Sequence, residues 1–164
     1  ARSGQRLGEE QRAAVRHVTE GGDLALVVGY AGTGKSAMLG AARAVWGAQG
    51  YRVRGAALSG IAAEGLEAGS GIQSRTLASL EWGWSQGKQE DRLARGDVLV
   101  VDEAGMVGSR QMERVLSHAR EAGAKVVLVG DPEQLQAIEA GAAFRALAER
   151  HGAAVGMALS ELSP

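Results

Sequence analysis

The chain has 164 residues, 45% hydrophobic and 23% charged, which suits one soluble globular domain with a buried core. No apolar run is long enough to span a bilayer, no signal-type segment opens the chain, and there is no cysteine; this excludes a helical membrane protein and fits a cytoplasmic location. Net charge is −1, split as +4 over residues 1–60 and −5 over residues 61–164, so bulk charge neither marks nor excludes a nucleic-acid partner.

Glu9 to Thr19 reads as a short helix with Ala14, Val15 and Val18 on one face. After Asp23 comes the run Leu24-Ala25-Leu26-Val27-Val28, short and valine-rich, as in a strand buried on both faces. Gly29 to Gly34 is a glycine-rich turn, and a helix follows from Lys35 to about Trp46. Tyr51 to Leu58 is the next expected strand; Ala62 to Glu67 and Thr76 to Trp84 are expected short helices. Gln86 to Arg95 is polar and expected to be exposed. Val98 to Val101 and Lys125 to Val129 read as strands on either side of an amphipathic helix, Ser109 to Ala122. A last helix from about Ala142 to Arg150 and a closing strand from Val155 to Leu159 complete the pattern.

Strands and helices alternate, which predicts an α/β fold with a mainly parallel sheet and helices on both faces. Ligands of such sheets sit outside the carboxyl ends of the strands. Gly29 to Ser36, Asp102-Glu103 and Gly130-Asp131 follow the three clearest strands, so they are expected to meet at one edge.

Gly29-Tyr30-Ala31-Gly32-Thr33-Gly34-Lys35-Ser36 matches G-x-x-x-x-G-K-S between a strand and a helix, the context that gives the pattern weight. Small residues such as Gly29, Ala31, Gly32, Thr33 and Gly34 let the backbone curl so that its N–H groups face phosphate oxygens, and the helix N-terminus adds positive potential. Lys35 then reaches the β- and γ-phosphates of ATP, and the Ser36 hydroxyl ligates Mg²⁺. Val100-Val101-Asp102-Glu103 is an apolar strand ending in two acids. Asp102 is expected to hold Mg²⁺ and Glu103 to polarise the attacking water, with pleat alternation sending the two side chains to different sides.

Gly130-Asp131-Pro132-Glu133-Gln134-Leu135 resembles the G-D-x-x-Q-L segment of superfamily 1 helicases. In that family the glutamine at the place of Gln134 contacts the γ-phosphate and reports it to the DNA site. Locally, Asp131 and Pro132 also read as a helix cap and first helical residue. Leu7-Gly8-Glu9-Glu10-Gln11 looks like the glutamine motif of RecD-like helicases, which implies that Gln11 reads adenine. Ala57-Leu58-Ser59-Gly60-Ile61-Ala62-Ala63 is similar to their A-P-T-G-x-A-A segment, which touches the DNA backbone; Leu58 replaces the proline. Gly71-Ile72-Gln73-Ser74-Arg75-Thr76-Leu77-Ala78-Ser79-Leu80, with the acidic and glutamine motifs, looks like the helicase region of TraA-type conjugative relaxases. The resemblance runs from Leu7 to about Leu159. It implies a RecA-like P-loop ATPase domain using ATP and Mg²⁺, with Ser59, Gly60, Ser74 and Arg75 against single-stranded DNA.

The same resemblance implies a second RecA-like domain in the full-length chain, supplying an arginine from across the cleft. Residues 1–164 are expected to be one ATP-binding domain cut from a longer helicase, binding nucleotide but hydrolysing it slowly alone. The alternatives are a non-catalytic helicase-like module that grips single-stranded DNA, and an unrelated P-loop ATPase. His17, His118 and His151 match no metal spacing. Trp82 and Trp84 cannot share one helix face, so one is expected to pack and the other to stay partly exposed.

Overall fold

The computed structural model describes residues 8–20, 23–28 and 34–130. The Ala142 helix, the Val155 strand, the turn from Gly29 to Thr33 and Gln134 lie outside them. Five strands form one parallel sheet: β1 (Leu24–Val28), β2 (Arg52–Ala57), β3 (Ser74–Thr76), β4 (Asp97–Val101) and β5 (Lys125–Gly130), in the order β1-β5-β4-β2-β3. The helices are α1 (Glu9–Glu20), α2 (Lys35–Ala48), α3 (Gly60–Ser70), α4 (Leu77–Ser85) and α5 (Ser109–Ala122). No helix among the described residues is long and apolar enough to cross a membrane.

Successive strand residues point to opposite faces, and each face feeds its own core. Ala25, Val27, Val98, Val100, Val127 and Val129 join Val18, Leu39, Trp46 and Leu66 of α1, α2 and α3. Leu24, Leu99, Val101, Val126 and Leu128 join Leu77, Leu80, Met112 and Val115 of α4 and α5. The central strands β4 and β5 are buried along their whole length, which explains their unbroken valine and leucine runs.

The helix ends follow local chemistry. Ser59 caps α3 by accepting from the Ala62 amide at 3.1 Å, and Thr76 caps α4 by accepting from Ser79 at 3.1 Å. Gly123 closes α5 at φ 76°, where a side chain would be strained. The α4 and α5 helices are joined through Glu81, which accepts from Gln111 at 2.7 Å and Arg114 at 2.6 Å, and through Trp84, which stacks on His118.

Two expectations need correction. Gln86 to Arg95 is not wholly exposed: Asp91 and Leu93 are buried. The guanidiniums of Arg54 and Arg75 reach into this connection and bind the Asp91 carbonyl and carboxylate, which draws it onto the sheet. Ser74–Thr76, outside every expected strand, pairs with Gly55–Ala57 as β3. Three residues carry too short a pattern to declare a strand without that partner.

Candidate functional site

Because all five strands are parallel, their carboxyl ends lie on one edge. There β1, β5 and β4 are neighbours, so the start of α2 and the turn after β4 flank the end of β5. Gly34 precedes α2 at φ 81°, in the left-handed region. The first turn of α2 has neither an acidic residue nor a side-chain cap, so its amide donors and positive dipole end face the edge uncompensated by an anion of α2 itself. Gln11, arriving on α1, lies against Gly34 so closely that any β-carbon there would collide with its amide; its Oε1 accepts from the Gly8 amide at 2.9 Å.

Lys35 and Asp102, 67 positions apart, meet: Nζ lies 3.1 Å from Oδ1. Their side chains are 27% and 12% exposed, so water reaches the pair without filling it. The same Asp102 oxygen accepts from the Glu103 amide at 2.8 Å, and the Asp102 amide donates to the Ala56 carbonyl at 2.8 Å. The carboxylate is thereby fixed while its ammonium partner stays on a flexible stem.

Glu103 has φ 52° and ψ 40°. Among the described residues it is the one non-glycine at positive φ, a conformation costing on the order of 1–3 kcal/mol. Strand alternation therefore does not govern the two acids as expected: β4 ends at Val101, Asp102 is buried, and Glu103 is half-buried on a left-handed turn. Its carboxylate makes no hydrogen bond to the described residues.

Ser36 is exposed, and its hydroxyl lies beside Gly69 of α3. A serine hydroxyl next to the lysine and a carboxylate in the turn after β4 are hard oxygen donors of the kind Mg²⁺ takes together with phosphates. The residues thus fit a magnesium–nucleotide complex.

The four positions expected to face DNA divide by environment. The Ser59 hydroxyl is engaged in capping α3, and Gly60 is exposed at its first turn. Gly60, Ser74 and Arg75 line one surface depression with Glu64 and Glu67. The Ser74 hydroxyl donates to the Ile72 carbonyl at 2.7 Å. Arg75 is held from within: Asp91 takes one arm of its guanidinium, and Ser79 Oγ accepts from another at 2.6 Å. Asp91 in turn needs Gly83, since any β-carbon there would strike its carboxylate. Of the two tryptophans, Trp84 packs on His118 and Trp82 stays 56% exposed beneath the Lys88 ammonium.

Sequence reasoning did not find Asp91, His118 or Gly69. Their signals are partners 16 to 34 positions away, which no local pattern carries.

The AAA domain family matches residues 6–161. The chain is 57% identical over 148 residues to the conjugal transfer protein TraA of Rhizobium radiobacter, covering 90% of this chain and 13% of that protein. It is 37% identical over 145 residues to the ATP-dependent RecD2 DNA helicase of Deinococcus radiodurans, covering 87% and 20%. Among solved structures it is similar to the Pif1 helicase of Candida albicans, at TM-score 0.59 and 26% identity over 77% of this chain and 33% of that one. The chain therefore spans a small part of these relatives' length.

Proposed function

We propose, on the premise that this chain belongs to the AAA domain family as a RecD-like superfamily 1 helicase domain, that it is the ATP-binding motor domain of a conjugative relaxase-helicase that unwinds DNA during plasmid transfer. The contact between Lys35 and Asp102 carries this reading, because it joins the lysine of the phosphate-loop motif to the first acid of the strand-end pair. A second RecA-like domain of a longer chain supplies the other wall of the cleft and an arginine.

ATP binding is a change of partners. Lys35 leaves Asp102 for the β- and γ-phosphates, while Ser36 and Asp102 hold Mg²⁺. Magnesium, when bound, neutralises and polarises the phosphate oxygens. Each charge exchanges one partner for another, so neither is left unpaired at the partly dry sheet edge. Glu103, free of hydrogen bonds to the described residues, is available to accept the proton of the attacking water. Gln134 senses the γ-phosphate, and Gln11 faces adenine. Ser59, Gly60, Ser74 and Arg75 face single-stranded DNA; Arg75 must give up Asp91 or Ser79 to do so fully.

The test is ATP turnover with single-stranded DNA, in the longer protein this reading implies. Glu103→Gln is expected to lower the rate by roughly 10²–10⁴-fold with nucleotide binding retained. Equal rates for the two proteins would remove the enzyme and leave a module that only grips DNA.

A further inference from the structure

The nucleotide reading assigns Ser36 a role but does not explain how its hydroxyl is kept in place. Ser36 and Gly40 lie one helical turn apart on α2, and both face the end of α3. A β-carbon on Gly40 would come within 3.4 Å of the Ser70 carbonyl oxygen. A β-carbon on Gly69 would stand 2.6 Å from Ser36 Oγ and 3.0 Å from Ser36 Cβ. The first distance is inside van der Waals contact, so the hydroxyl would have to leave its position. The second is relieved by a shift of a few tenths of an ångström, so the hydroxyl is the group displaced.

Gly69 sits inside α3, one residue from its end, where alanine is the better helix former. Its φ is not positive, so the backbone does not require glycine. Gly65, on the same helix, has open space around it: a β-carbon there meets nothing within 4 Å. The two glycines therefore differ in one respect, the neighbour at Ser36.

We propose that Gly69 is a positioning residue for the nucleotide site: its missing side chain leaves the space that the Ser36 hydroxyl occupies, the position from which it would ligate the magnesium of Mg-ATP. This rests on the functional reading above. The α3 helix also begins at Gly60, in the turn that faces DNA, so one rigid element borders both sites.

The experiment measures binding of a fluorescent ATP analogue, mant-ATP, with and without Mg²⁺, to the wild-type chain and to Gly69→Ala, Gly65→Ala, Ser36→Ala and the Gly69→Ala/Ser36→Ala double variant. In wild type, Mg²⁺ is expected to strengthen binding. In Gly69→Ala that gain falls by about 10-fold or more, the usual size of a supporting-shell effect on a metal site, while Mg²⁺-free binding holds. Gly65→Ala behaves as wild type. Adding Gly69→Ala to Ser36→Ala costs little more, because the affected hydroxyl is already gone. A full Mg²⁺ gain in Gly69→Ala, or additive losses in the double variant, overturns the proposal while nucleotide binding stands. No mant-ATP binding to wild type, with or without Mg²⁺, overturns the functional reading and this proposal with it.

Discussion

The strand β4 has an ion pair at each end, and the two are built differently. At its start, Asp97 takes two bonds from Arg52, at 3.0 and 2.8 Å, and a third from the Ala94 amide at 2.8 Å. Arg52 also donates to the Arg92 carbonyl, and its pKa is raised first by its bond to Asp97, against a smaller effect of burial. Three of the carboxylate's roughly four acceptor directions are used, two of them in the fork geometry that arginine and carboxylate share. Just past the other end, Asp102 has one ammonium contact and one backbone donor. The first pair closes the fold over the β2–β4 junction. The second holds an acid in place with fewer bonds. Identical chemistry, a basic side chain on a carboxylate, thus closes the fold at one edge of the sheet and, on the proposed reading, is given up to nucleotide at the other.

Substitutions at the two aspartates should separate these roles. The largest effect is expected from Asp102→Asn, which should lower ATP turnover by roughly a hundredfold or more through loss of the carboxylate proposed to hold Mg²⁺. Its thermal unfolding should move little, since a half-wet lysine pair contributes about 1 kcal/mol or less. Asp97→Asn should do the reverse. Loss of a buried charged acceptor should destabilise by about 2 kcal/mol in chemical denaturation, with mant-ATP affinity unchanged. Loss of nucleotide binding in Asp97→Asn without loss of stability would erase the distinction.

The smallest effect belongs to His118. Burial, and then the charge of Arg92, lowers its pKa below the ordinary 6.5, against an opposing pull from Glu121. The neutral ring accepts from the Leu93 amide at 3.5 Å and stacks on Trp84 with centroids 3.8 Å apart. A base with a lowered folded-state pKa lends stability above its unfolded value and loses it as pH falls through the folded value. Unfolding between pH 7.5 and 5.5 should therefore show a small acid loss, below about 1 kcal/mol after solvent screening, that shrinks in His118→Phe. An undiminished loss in His118→Phe would assign it to other groups.

The parts legible in sequence were those written in local pattern. The Ser109–Ala122 helix has the bounds its amphipathic spacing indicates, and the valine-rich runs are the strands β1, β4 and β5, the last two buried along their length. Parallel strands also put the phosphate-loop lysine and the acidic turn on one edge, where Lys35 and Asp102 touch. What stayed hidden depends on partners distant in sequence. Nothing in Asp91 announces Arg75, and nothing in Gly69 announces Ser36. The left-handed backbone of Glu103 was equally invisible, because glutamate has no preference for it and only the surrounding fold holds it there.

The amide of Asp102 and the carbonyl of Ala56 form the last rung between β4 and β2. Three residues beyond Ala56 lies Ser59, the cap of α3. The acidic turn and the capping turn therefore hang from a single crossbar. On the proposed reading of the capping turn as a DNA contact, a displacement of that turn is expected to reach the carboxylates across this one hydrogen bond.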